Sequence, residues 1–196
     1  MSLFLGPDRE GDYLDEKNED FSIEDFDSST FNSSLFSGCN FFSSTFRSAS
    51  FVDCTFIDCN FSSCDFSLST FSRCKFVSCL FKGTNFSKSK IKEVQIHNST
   101  FLYAIFDDSL MKNSGIYESK MNESSFCSVS CKDVSIHSTE LSGTSFRETM
   151  ISSISLKMSE IGGIYISDDL GELRGTKLDV AQALDAVKLL GVQIVE

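Results

Sequence analysis

Apolar residues recur along this chain in steps of five. From Phe21 to Phe86 every fifth residue is phenylalanine. The same register then continues as Ile91, Ile96, Phe101, Phe106, Met111, Ile116, Met121, Phe126, Cys131, Ile136, Leu141, Phe146, Ile151, Leu156, Ile161 and Ile166. Two residues before each of these stands Ser, Ala, Cys, Thr or Val at 26 of the 30 positions, the exceptions being Glu19, Glu24, Ile154 and Ile164. A period of five is neither the 3.6 of a helix nor the 2 of a flat strand. Within one unit the small residue and the central apolar residue lie two apart, so an extended segment points both the same way. A bend must follow before the next unit. Four bends of about 90° close a square coil of 20 residues, and coils stacked at the sheet spacing of about 4.8 Å bond through their backbones. Thirty units predict about 7–8 coils, a rod roughly 36 Å long. The fold class is therefore all-β, a right-handed quadrilateral β-helix. Pro7 is the only proline, which suits a ladder that needs an N–H at every level.

The pattern changes near the C-terminus. The register slips by two residues across Ser167–Glu172, and Leu173 and Leu178 then resume the step of five. Asp179 with Gln182 three residues on predicts a capping box. Val180, Ala181, Leu184, Val187 and Leu190 follow at helical spacing, Gly191 is a stop, and Val192, Ile194 and Val195 form an apolar tail. Three regions are expected: an acidic N-terminal segment or cap over 1–20, the β-helix over 21–178, and a capping helix with its tail over 179–196. No coil buries its core alone, so the ends need caps. The wide apolar arc of Val180, Ala181, Leu184, Val187, Leu190, Val192 and Ile194 predicts a two-fold contact between copies as well.

Charge divides the rod into zones. The net charge is −11, but residues 1–27 carry −8, residues 28–106 carry +3, residues 107–169 carry −5 and residues 170–196 carry −1. This excludes a uniform polyanion and argues against direct nucleic-acid binding. Folding the numbering by 20 places Asp108, Glu148 and Asp168 in one outward column, flanked by Asp107 and Asp169. These five form a candidate partner-binding patch; the alternative is a solvated face that keeps the rod soluble.

Little else in the chain carries chemistry. Six cysteines (Cys39, Cys54, Cys59, Cys64, Cys74, Cys79) occupy the small inward position, Cys131 a central one, and Cys127 an outward one. Buried free thiols are expected in preference to disulfides or a metal ladder. His97 and His137 are two coils apart, too far for one metal. No catalytic triad order, phosphate loop or zinc motif is present, so no enzyme, cofactor or metal is expected. The N-terminus lacks a basic region followed by an apolar core, and no apolar run is long enough to span a membrane; a cytoplasmic location is expected.

Strings of the form Phe-x-x-Cys-x-Phe resemble the pentapeptide-repeat family over residues 21–166. A second resemblance lies outside the repeat. The stretch LRGTKLDVAQALDAVKLLGVQIV, from Leu173 to Val195, together with Ser159–Ile166, is similar to the C-terminal segment of Qnr-type quinolone-resistance proteins. That resemblance implies a coaxial homodimer joined through C-terminal helices. It also implies binding to DNA gyrase or topoisomerase IV by DNA mimicry, with protection from fluoroquinolones. The unbroken register implies the loopless, MfpA-like kind. The competing expectation is an interaction scaffold for another protein, such as a regulator or a toxin-immunity factor.

Overall fold

The structure is a computed structural model that describes residues 10–193 and 195. The chain winds into a parallel β-solenoid of about seven turns closed by one C-terminal helix. Each turn is 20 residues with four ladders. Glu10–Asp12 pairs with Thr30–Asn32, and Asp15–Lys17 pairs with Leu35–Ser37. Single bridges Asp20↔Asn40 and Asp25↔Thr45 form the other two sides. The four-sided section predicted from the step of five is thus present, with every pair 20 residues apart.

The corners explain the period. The second residue after each central one, save at Ser153 and Asp168, takes a left-handed backbone, as at Ser48 (φ 57°), Asp53 (φ 56°) and Leu68 (φ 61°). This conformation recurs every five residues and turns the chain through each corner. In strands 110–117 and 130–137 pairing continues around one corner and joins two sides.

Inside, the central residues form four columns. Phe41, Phe61, Phe81 and Phe101 stack face to face, with centroids 4.9, 5.3 and 4.5 Å apart. Neighbouring columns meet edge to face, as Phe61 and Phe66 do at 62°. The edge-to-face geometry is the one favoured by the ring quadrupole. All thirty central residues are buried except Cys131, which is half-buried.

The small position has a chemistry of its own. In several turns its hydroxyl or thiol reaches back to the carbonyl of a central residue one turn earlier. Ser44 donates to Phe21 O at 2.7 Å, Thr84 to Phe61 O at 2.7 Å, and Cys64 to Phe41 O at 2.8 Å. These carbonyls lie in the core wall, where an unpaired acceptor costs free energy. Ser, Thr and Cys fit because they are small and can donate.

The ladder begins before the apolar series does. Residues 10–20 already pair with the next turn, with Gly11 and Glu16 at the step-of-five positions. Backbone pairing there needs no apolar side chain.

Candidate partner-binding surface

A filled core leaves the outer wall and the two ends as the places for chemistry. Asp108, Ser128 and Glu148 stack on one corner, all left-handed (φ 57°, 57° and 61°), and the Ser128 hydroxyl donates to Glu148 at 2.7 Å. Asp107 is half-buried. Its carboxylate accepts from Cys127 N at 3.1 Å and from the Ser125 hydroxyl at 2.5 Å. Asp168 and Asp169 lie past the last ladder pair, Ser145↔Tyr165. The left-handed turn does not recur at Asp168 but at Leu170, and Asp169 caps the N–H of Gly171 at 3.1 Å. Asp107, Asp108 and Glu148 therefore belong to the regular wall, whereas Asp168 and Asp169 sit where the chain leaves it.

The hinge of that departure is Glu172, which the sequence pattern does not single out. In the regular coil the left-handed residue donates its N–H to the next turn; Ser128 N reaches Arg147 O. At Glu148 the Glu172 carboxylate takes the place of that carbonyl, at 2.8 Å. The same oxygen accepts from Ser167 N at 3.2 Å and from the Ser167 hydroxyl at 2.5 Å. Burial alone would push the Glu172 carboxyl up. The donors at Ser167 and Glu148 outweigh it and hold the group below the usual carboxylate range.

Helix α1 (Val180–Lys188) follows. Its N-cap is Asp179, whose carboxylate accepts from Gln182 N at 2.9 Å, while the Gln182 side chain accepts from Asp179 N. This is the capping box read from the sequence. Gln182 also plugs the coil, donating to Leu156 O at 2.7 Å and Ser159 O at 2.8 Å. With Gln182 turned to the coil, the apolar arc faces away. Val180 is 80% exposed and Leu184 45%, and Ala181, Val187, Leu190 and Val192 are exposed as well. Ile194 lies outside the described residues.

The thiols are chemically quiet. The six small-position cysteines are buried and free, and burial pushes Cys64 up to about 12, so it stays neutral. Cys127 is half-buried and not exposed, because its sulfur packs within 3.2–3.3 Å of the Ser145 and Ser125 hydroxyls. His97 and His137 are bridged by Tyr117, which stacks on His97 at 4.9 Å and meets His137 edge-on at 5.8 Å. The Tyr117 ring lies over Gly115, where any Cβ would collide with it. Among the described residues no group of three or more His, Cys, Asp or Glu is arranged to hold a metal, and no helix is long and apolar enough to cross a membrane.

Comparison with known proteins bears first on the fold. Residues 29–106 match the family model described as a pentapeptide repeat region. No curated protein matches the chain at the sequence level. Among solved structures, a trypsin-treated form of QnrB1, a plasmid-mediated fluoroquinolone resistance protein, is similar with a TM-score of 0.56. It is 19% identical over 95% of this chain and 100% of that one. HetL, a pentapeptide repeat protein involved in heterocyst differentiation regulation from the cyanobacterium Nostoc, is similar with a TM-score of 0.47. It is 9% identical over 82% of this chain and 86% of that one. At such identities these likenesses concern architecture alone. Residues 29–106 are a pentapeptide repeat region, and the chain as a whole has the pentapeptide-repeat β-helix fold.

Proposed function

We propose that the protein acts by binding, as a DNA mimic for type II topoisomerases, DNA gyrase or topoisomerase IV, and thereby shields them from fluoroquinolones. The observation that carries this reading is a juxtaposition. The acidic zone of residues 107–169, net −5, lies ahead of a helix whose apolar arc is exposed among the described residues. Two copies joined through Val180, Ala181, Leu184, Val187, Leu190, Val192 and Ile194 would set their acidic zones end to end. Residues 107–196 carry −6, so the centre of such a dimer carries −12. A rigid acidic rod complements a basic groove built for duplex DNA and steers its own approach to it. Asp107, Asp108, Glu148, Asp168 and Asp169 supply the carboxylates of that surface. The fold likeness to the fluoroquinolone resistance protein QnrB1 supports the same reading.

The test is a gyrase supercoiling assay with and without ciprofloxacin. The expected result is supercoiling retained at drug levels that otherwise stop it, with inhibition by excess protein alone. The double variant D108K/E148K should need about tenfold more protein for either effect. Absence of binding, inhibition and rescue together would remove the proposal. A pull-down recovering another protein and no topoisomerase would favour the scaffold reading in its place.

A further inference from the structure

The wall of the coil is open beneath Lys132. Strand 130–137 pairs upward along its length with strand 110–117, from Leu110↔Ser130 to Tyr117↔His137. Downward it pairs only at Val134↔Ile154 and Ser135↔Ser155. Residues Ile151–Ser153 have wound into a 3-10 turn, with Ser153 N bonded to Met150 O. Among the described residues, Ser130–Lys132 thus have a ladder partner above and none below. Ile151 still fills its place in the core, so the winding pulls backbone away from the wall without opening the interior.

The result is a groove of about 990 Å³. Cys131, Lys132 and Asp133 form one lip, and Lys177, Leu178 and Asp179 line it from the C-terminal segment. The apolar part of the lining that solvent reaches comes from Cys131 and Leu178, both half-buried, with the buried Val134, Ile154 and Leu156 behind them. Lys132, Lys157 and Lys177 stand on its rim, all exposed, and none has an ion-pair partner among the described residues. Of the two carboxylates in the lining, Asp179 is engaged with Gln182 N and Asp133 remains on the rim. The positive charge also continues up the wall. Lys92, Lys112 and Lys132 are direct ladder neighbours, and like charges so placed repel. Lys92 is paired with Glu93 at 3.3 Å, whereas Lys112 and Lys132 have no ion-pair partner among the described residues.

We propose that this groove binds an extended acidic peptide segment of a partner protein, which adds as a strand beneath Ser130–Lys132. An open strand edge offers backbone donors and acceptors in the spacing of another strand, which selects a polypeptide. Alternate side chains of such a strand point to opposite faces. One set lies on the half-buried Cys131 and Leu178, and the other set carries carboxylates to Lys132, Lys157 and Lys177. The proposal stands apart from the topoisomerase reading, which uses the acidic corner and the helix.

The test is fluorescence anisotropy with a labelled heptapeptide of alternating glutamate and valine. A second probe is the same peptide N-methylated at alternate amides, which keeps its charge and blocks strand pairing. Saturable binding of the first peptide is expected. Affinity should fall about tenfold or more for the N-methylated peptide and for a K132E/K177E variant, as attractive charges become repulsive. Both lysines are exposed, so an unchanged circular dichroism spectrum certifies the variant's fold. Equal binding of the two peptides, equal binding by the variant, or no saturable binding would each overturn the proposal.

Discussion

Serine at the small inward position has two different surroundings, and they predict opposite effects for the same substitution. The Ser44 hydroxyl donates to Phe21 O at 2.7 Å and accepts from Glu24 N at 3.0 Å, both across the turn. Ser44→Ala leaves two backbone groups unpaired and should cost about 1–3 kcal/mol. The Ser89 hydroxyl is buried with no hydrogen-bond partner. Ser89→Ala removes a desolvated polar group and should be neutral or stabilising by up to about 1 kcal/mol. Thermal unfolding of the two variants side by side checks this; equal losses would show that hydroxyl size, not bonding, sets the position. The corners give a second prediction. Ile23 is β-branched yet held at φ 60°, and is 78% exposed. A left-handed backbone costs such a residue roughly 1–2 kcal/mol, whereas asparagine tolerates it. Ile23→Asn should raise the melting midpoint, even though it deletes an apolar side chain.

Elements are decided at the ends of the coil, where the five-residue step is a weaker guide. The step locates every turn from Phe21 onward because the side chain that fills the core is the one that repeats. It does not locate the ladder over residues 10–20, because Gly11 and Glu16 are not core-forming types and only their backbones pair. It also misses the winding at Ile151–Ser153, since Ile151 keeps its register while its neighbours leave the wall. Glu172 looks like a solvent residue in sequence and becomes the bonded end of a wall through three donors from Ser167 and Glu148. The capping box was legible because both partners lie within one helical turn. Glu172 also sets a pH response. Its folded carboxyl titrates below its ordinary range, so it stabilises the fold above about pH 4.5, the unfolded value, and that contribution is lost as pH falls through the folded value. Urea unfolding between pH 6 and pH 3 should show wild type losing more stability than Glu172→Gln. Parallel losses would place the acid sensitivity elsewhere.

At the scale of the whole molecule the rod is a one-dimensional stack, so whatever joins two copies acts at an end and leaves the turns unchanged. The C-terminal end differs from the wall in gathering its exposed apolar side chains into one short segment. Leu184 and Val187 on α1 and Leu190 just beyond it are exposed, while Gln182 on the helix is tied to Leu156 and Ser159. Docking to the coil and the proposed contact with a second copy would therefore use different residues and can be separated by substitution. Leu184→Asp with Val187→Asp should leave the Gln182 bonds and the β signature intact. It should also turn a particle of twice 21.8 kDa into one of 21.8 kDa in sedimentation at micromolar protein. Separating the proposed dimer would halve its acidic centre from −12 to −6, so any attraction to a basic partner should weaken and become less sensitive to salt. Wild type sedimenting as a monomer would end the dimer argument. A monomeric variant that inhibits gyrase as strongly as wild type, with the same salt dependence, would show that each rod acts alone through Asp107, Asp108 and Glu148.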